Sequence, residues 1–280
     1  MRTDFRHLLS RAATVIATWL LMSLGVAMGA TPTTLDAEGR RVALVIGNAD
    51  YGFAPLRNPV NDARAMAQSL ERLGFEVIRL ENAGLPDMLE SIRTFALKAR
   101  KSDVRLFYYA GHGVQVDGRN YLIPIGSEIT GDDEIARKSA DMTALVDQLG
   151  RLQAGMNIVI LDACRNNPFK DSALKTADGR VIQFRGSAQP GLAAMDAPQG
   201  TLVAFSTAPG AVAMDGQNQR NSLYTKHLIA NIGTPGLPVE QLFKRVRIAV
   251  AQETQRLQIP WESSSLMGDF CFMPASVGVC

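Results

Sequence analysis

The sequence predicts an α/β protein whose mainly parallel sheet is covered by helices on both faces. Three observations carry that prediction. Short apolar, β-branched runs read as buried strands, helical stretches alternate with them, and 46% hydrophobic against 20% charged residues is enough to bury a sizeable core. About 250 residues follow a distinctive leader and fit one large domain or two small ones.

The elements follow in order. RVALVIG (41–47) is a β-branched run stopped by Gly, a first strand. Over 59–73, Val60, Ala63, Ala67, Leu70 and Leu73 recur at helical spacing until Gly74 ends the pattern. FEVIRL (75–80) predicts a second strand, 85–99 a second helix and VRLFYYA (104–110) a third strand. A third helix is expected over 141–152, and NIVILDA (157–163) is the most apolar strand of all. Between 165 and 200 periodicity disappears in a stretch far longer than the roughly 12–15 residues at which a structureless loop becomes unusual. Regular structure resumes with TLVAFS (201–206), a helix over 222–232, a longer one over 239–255 and a last strand near 269–272. The domain therefore reads as 40–272, made of a section 40–164, an exposed linker 165–200 and a section 201–272, with 273–280 as a tail.

Lys and Arg number 29 against 27 Asp and Glu, a formal net charge of +2. Arg2, Arg6, Arg11 and Asp4 lie in the first thirty residues, so 31–280 holds 26 bases and 26 acids. A neutral body argues against a counterion-driven nucleic-acid binder and gives no reason to expect a polybasic membrane patch. The first thirty residues run from arginines through an uncharged stretch, 12–28, to Gly29 and Ala30, the layout of an export signal. The expected location is periplasmic or secreted. The rival reading is an uncleaved anchor in the inner membrane, because 12–28 approaches spanning length; Thr14, Thr18, Ser23 and Gly25 weaken it. Membrane contact is expected only if the leader is retained. Three cysteines follow it: Cys164, Cys271 and Cys280. Cys271 and Cys280 enclose a short segment and could pair in an oxidising compartment, or stand as two thiols near a frayed end.

Ligands of open parallel sheets bind at the carboxyl ends of the strands. Two predicted strands end on reactive side chains there: the third runs into Gly111-His112-Gly113, the fourth into Asp162-Ala163-Cys164. An imidazole and a thiol at one sheet edge make a base and nucleophile for acyl transfer, and the flanking glycines let the backbone approach a substrate. Alone, Cys164 would read as a small buried hydrophobe and His112 as a loop hydrogen-bonder; two at equivalent strand ends favour a site. His227, inside a helical stretch, takes an ordinary surface or packing role. No zinc spacing remains, so no metal ligand is assigned.

These residues carry a resemblance. YYAGHGVQ (108–115) and VILDACRNNPF (159–169), together with ALVIGNADY (43–51), NPVNDARAMAQSLERLGF (58–75) and VAFSTAPGAVAMDG (203–216), resemble in order the caspase-like cysteine peptidases, close to the bacterial orthocaspase and metacaspase branch. The resemblance runs from about 40 to 272 and implies a caspase-like fold. It implies that Cys164 attacks the scissile carbonyl, that His112 handles proton transfers, and that the backbone amides of Gly113 and Cys164 form the oxyanion hole. No third orienting side chain can be picked out.

Substrate choice follows from charge. Caspases proper carry Gln two places before the nucleophile, where this chain has Asp162; the metacaspase-like branch is similar in placing acids there and in the turn opening the first helix, here Asp62. Two carboxylates near one pocket would favour Arg or Lys in a protein or peptide substrate. Asp215 lies near another pocket position. Arg57 is a departure that could neutralise Asp62, and Asp62 could equally be an acid favoured at a helix N-terminus. Arg165, Lys170, Lys175, Arg180 and Arg185 make the linker either a self-processing site, most plausibly after Arg180 or Arg185, or a solvated loop. No cofactor is expected; Asp117, Asp132 and Asp133 supply loop acids for calcium activation but no defined calcium loop. The leading expectation is an exported cysteine endopeptidase cleaving after Arg or Lys. The alternatives are a non-catalytic interaction module and a peptidase of acidic specificity that uses Arg57.

Overall fold

The computed structural model describes residues 39–152, 154–164, 174–175, 181–182, 192–208, 213, 219–276 and 280. For Asp132, Cys164, Leu174, Lys175, Val181 and Ile182 this is the backbone path alone. Its elements are β1 (Arg41–Gly47), α1 (Pro59–Arg72), β2 (Phe75–Glu81), α2 (Leu85–Ala99), β3 (Val104–Val116), β4 (Arg119–Leu122), α3 (Asp132–Lys138), β5 (Ala140–Asp141), α4 (Met142–Gly150), β6 (Met156–Cys164), β7 (Leu174–Lys175), β8 (Val181–Ile182), β9 (Thr201–Phe205), α5 (Leu223–Asn231), α6 (Val239–Glu253) and β10 (Trp261–Ser264).

Every residue of β1 and β9 is buried, which is why their sequences are continuous apolar runs rather than alternating ones. The strand order is β10-β9-β6-β3-β1-β2. β2, β1, β3, β6 and β9 run parallel, and β10 closes one edge antiparallel to β9. From β1 the chain steps outward to β2, then returns across β1 to β3. The order reverses between β1 and β3, so their carboxyl ends flank the crevice in which such sheets bind ligands.

Alternate strand residues serve two cores. Ala43, Val45, Leu106, Tyr108, Ile158, Ile160, Leu202 and Ala204 pack on one face with α1, α5 and α6. Leu44, Ile46, Phe107, Tyr109, Val159, Leu161, Val203 and Phe205 pack on the other with α2 and α4. The covering helices show the matching periodicity: Ala63, Met66, Ala67 and Leu70 on α1, and Met142, Leu145, Val146 and Leu149 on α4. Each fully buried side chain of this kind contributes about 1.5–3 kcal/mol, so the sheet's position is fixed by packing on both sides.

The expected elements recur with four differences. First, β3 continues to Val116 rather than ending at Ala110. It then turns through Asp117 and Gly118, both at positive φ, into antiparallel β4, as an Asp-Gly pair favours. Second, α3 and the β4–β5 pairing occupy a stretch to which no element was assigned from the sequence.

Third, 269–272 is not a sheet strand; β10 is the edge, and Cys271 makes only an isolated bridge to Pro238. The apolar pattern of 269–272 serves packing instead. Phe270 and Phe272 are buried, and the Arg41 guanidinium donates to Phe272 O at 2.8 Å and Leu73 O at 3.1 Å while lying 5.4 Å from the Phe270 ring centre. Cys271 and Cys280 are joined by a disulfide, with Cα atoms 5.3 Å apart.

Fourth, the end of the linker is not a free exposed stretch. Leu192 is buried, Ala193 N–H donates to Asn120 Oδ1 at 2.7 Å, and Asn120 Nδ2 donates back to Ala193 O at 3.1 Å. β7 and β8 pair with each other antiparallel. The leader, Arg165, Lys170, Arg180, Arg185 and Asp215 lie outside the described residues. Among the described residues no helix is long and apolar enough to cross a membrane.

Candidate active site

β3 and β6 are bonded along their length, and at their carboxyl ends the register sets His112 directly opposite Cys164. The approach to that point requires glycine. Gly111 has φ +154°, and a β-carbon there would stand 2.6 Å from Tyr109 Oη and 2.7 Å from Tyr51 Oη. Those two phenols lie 3.1 Å apart and brace the next residue. His112 N–H donates to Tyr51 Oη at 3.0 Å, and Tyr109 Oη donates to His112 O at 2.8 Å.

His112 is 5% exposed. It packs between the rings of Tyr51 and Phe53, at centre distances of 4.4 and 5.7 Å. Its Nε2 lies 2.7 Å from the carbonyl oxygen of Ala54, in the loop after β1. A carbonyl only accepts, so this contact fixes the proton on Nε2 and leaves a lone pair on Nδ1. Nδ1 is buried and has no hydrogen-bond partner among the described residues. Burial lowers the pKa of His112, partly offset by the bond to Ala54, so the ring is a neutral base at neutral pH. The orienting group absent from the sequence reading is thus a main-chain carbonyl, and Tyr51 is a second partner that reading missed.

Gly113 presents its amide toward the same place. Ala110 O accepts from Asn48 N–H and His112 O from Ile123 N–H, so both face the β1 and β4 side. Gly113, one residue on and opposite Leu122, forms a non-bonded pair of that ladder, and its N–H turns to the β6 side. A β-carbon on Gly113 would meet Leu192 Cδ2 at 2.8 Å, so the end of the linker packs directly beside it.

The two predicted acids come together although they belong to different elements. Asp62, in the first turn of α1, is 1% exposed; Asp162, two residues before Cys164, is 8% exposed. Asp62 Oδ1 accepts from Asn221 Nδ2 at 2.8 Å and from Ser222 N–H at 3.0 Å. Asp162 Oδ2 accepts from Ser222 Oγ and, at 2.8 Å, from Thr225 Oγ1. Tyr108 Oη lies 2.6 Å from Thr225 Oγ1, and its pKa is raised by burial first, then by the charges of Asp162 and Asp62. Both carboxylates therefore act on one buried spot at the start of α5. Asn221 and Thr225 carried no sequence signal; Ser222 was legible only as the start of a helix.

Arg57 is exposed in the loop before α1. His227 Nε2 sits 2.6 Å from Glu253 Oε2 on the α5–α6 surface, an ordinary surface contact. Asp117 is in the β3–β4 turn, and Asp132 and Asp133 open α3. Among the described residues no cluster of three or more His, Cys, Asp or Glu could hold a metal ion.

Comparison with known proteins agrees with this geometry. A family model described as Caspase domain matches residues 40–271. The mucosa-associated lymphoid tissue lymphoma translocation protein 1 of Homo sapiens is 27% identical over 143 residues, 51% of this chain and 17% of that protein. Its Mus musculus homolog matches to the same extent. The matching region is thus about a sixth of the length of these relatives.

Proposed function

Because the chain belongs to the family of caspase-domain peptidases, we propose that it is a cysteine endopeptidase in which Cys164 is the nucleophile and His112 the base, cleaving peptide bonds after Arg or Lys. One observation carries this reading. His112 stands in register with Cys164, its Nε2 tied to a main-chain carbonyl and its Nδ1 buried without a partner among the described residues.

In the proposed reaction Nδ1 takes the proton of the Cys164 thiol, and the thiolate attacks the scissile carbonyl carbon. The Gly113 and Cys164 amides receive the oxyanion, and donors of this kind are worth roughly 10²–10³ in rate each where they have been removed from other enzymes. The imidazolium then gives its proton to the leaving amine, and water, deprotonated by the same nitrogen, releases the acyl group and restores the thiol. Ala54 keeps the ring in the tautomer that leaves the Nδ1 lone pair unprotonated. The paired acids Asp62 and Asp162 suit a guanidinium or ammonium in the residue before the cleaved bond.

The same specificity would let the enzyme cut its own linker, after Arg180 or Arg185. Export through the leader, and membership of the orthocaspase and metacaspase branch, belong to the same reading. No cofactor is required by this chemistry; calcium is an activator to be tested. The test incubates the full chain, wild type and Cys164→Ala, with matched Arg, Lys and Asp reporter peptides, with reductant and with or without calcium. Cleavage of the Arg and Lys peptides by wild type alone, with linker cleavage in wild type alone, is expected. No cleavage of any peptide would mark an interaction module, and preference for Asp would overturn the pocket assignment.

A further inference from the structure

Two asparagines, one just past β1 and one just past β2, hold each other's strand ends. Asn48 is fully buried; its Oδ1 accepts from Ala83 N–H at 2.9 Å, and its Nδ2 donates to Ala83 O and Ile123 O, each at 3.3 Å. Asn82 answers from the other strand. Its Oδ1 accepts from Ala49 N–H at 2.9 Å and from Asp50 N–H at 3.2 Å, and its Nδ2 donates to Asp50 Oδ2. Asn82 stands at φ +48°, in the left-handed region that asparagine enters more readily than most residues. Glycine would supply that backbone turn at lower cost, so what the asparagine side chain adds is the clasp.

The clasp closes on the root of the loop that surrounds His112. Ala49, whose N–H is taken by Asn82, accepts through its own carbonyl from Tyr51 N–H and Leu56 N–H, both at 2.9 Å. Residues 49–56 are thereby closed into a loop, with Tyr51, Phe53 and Ala54 between its ends. Asp50, Gly52 and Pro55 face water, while Tyr51, Phe53 and Leu56 rest on the small core of Val114, Tyr121 and Ile123. That apolar contact is non-directional; the hydrogen bonds at the root are what orient the loop. Neither asparagine hydrogen-bonds to the imidazole, whose Nε2 faces Ala54 O.

We propose that Asn82 is a positioning residue for the base: it sets the path of residues 49–54 and, through Ala54 O and the Tyr51 phenol, the orientation of His112, without touching the reacting groups. The proposal rests on the Cys164–His112 reading of the site and on no choice of substrate side chain. Proton transfer between the thiol and Nδ1 depends on distance and angle. A displacement of about 1 Å can cost about a hundredfold in rate even when its origin lies away from the chemistry.

The experiment compares wild type, Asn82→Gly, the double variant Asp50→Asn with Asn82→Asp, and His112→Ala, all as full chains. Each is assayed on whichever of the Arg, Lys and Asp reporters wild type cleaves best, separating kcat from KM, and near-ultraviolet circular dichroism at 25 °C reports the fold. Asn82→Gly keeps the backbone turn and loses every side-chain bond of the clasp. It is expected to lower kcat about tenfold or more, with KM within about threefold of wild type and the folded spectrum retained. The double variant exchanges amide and carboxylate, so that a carboxylate at 82 accepts from both backbone amides and from the new side-chain amide at 50. It is expected to recover most of the lost kcat. Unchanged kcat in Asn82→Gly, a loss carried by KM, a loss that the double variant does not recover, or an unfolded Asn82→Gly would each overturn the proposal while leaving the catalytic reading intact. Wild type that cleaves no reporter, or cleavage that survives His112→Ala, would overturn the catalytic reading itself.

Discussion

At the scale of single residues, the proposed role of His112 sets two opposed demands. It must be buried enough to stay neutral and rigid, yet keep one nitrogen available. Tyr51 and Phe53 supply the burial, Ala54 takes one nitrogen, and Nδ1 is left over. Burial holds the pKa of the ring below its usual value of 6.5. The proposed reaction needs the neutral ring, so the acid limb of kcat/KM should fall below pH 6.5 rather than at it, with activity lost as pH drops through the lowered value. Stability moves with the same sign. The unfolded chain binds the proton more readily than the folded one, so the His112 contribution is fully present above pH 6.5 and is lost as pH falls toward the folded value. Urea midpoints measured between pH 7.5 and 5 should therefore fall more steeply for wild type than for His112→Gln. An acid limb above pH 6.5, or parallel midpoints, would contradict the assignment of the buried ring as the base.

At the scale of elements, the sheet was legible because burial on both faces demands unbroken apolar runs. RVALVIG, VRLFYYA, NIVILDA and TLVAF all lie inside it as expected. The misses share a physical cause. Gly111 and Gly113 look like chain breakers, yet β3 passes through them because their missing side chains make room for two phenols and Leu192. WESS (261–264) is polar because an edge strand faces water, so it carried no strand signal, whereas FCF (270–272) is apolar for packing against Arg41 and Phe75. Ala54 was illegible because a main-chain carbonyl has no residue type. Arg41 gives a test at this scale. Its guanidinium, largely removed from water, ties the C-terminal segment to the amino end of β1, opposite the strand ends that carry His112 and Cys164. Arg41→Leu leaves two carbonyls without that donor. It should lower stability by about 1–3 kcal/mol in urea unfolding while kcat/KM at 25 °C stays within about twofold. A large loss of activity with unchanged stability would mean the two ends of the sheet are coupled.

At the scale of the whole molecule, three parts of the chain meet at one end of the sheet. The loop after β1 and the first turn of α1 bring Ala54 and Asp62; β3 and β6 bring His112 and Cys164; and the start of α5 brings Ser222 and Thr225. The linker between β6 and β9 returns to the same place at Leu192, which packs beside Gly113, so cutting that linker would alter the chain beside the amide proposed for the oxyanion. The most direct measurement of the central claim is the intact mass, followed by peptide mapping, of the full chain after exposure to a peptidyl-arginine chloromethyl ketone and to its aspartate counterpart. The account predicts one equivalent of the arginine reagent on Cys164, slowed at least about a hundredfold in His112→Ala and absent in Cys164→Ala, with little labelling by the aspartate reagent. Labelling at another residue, labelling that ignores His112, or preference for the aspartate reagent would contradict it.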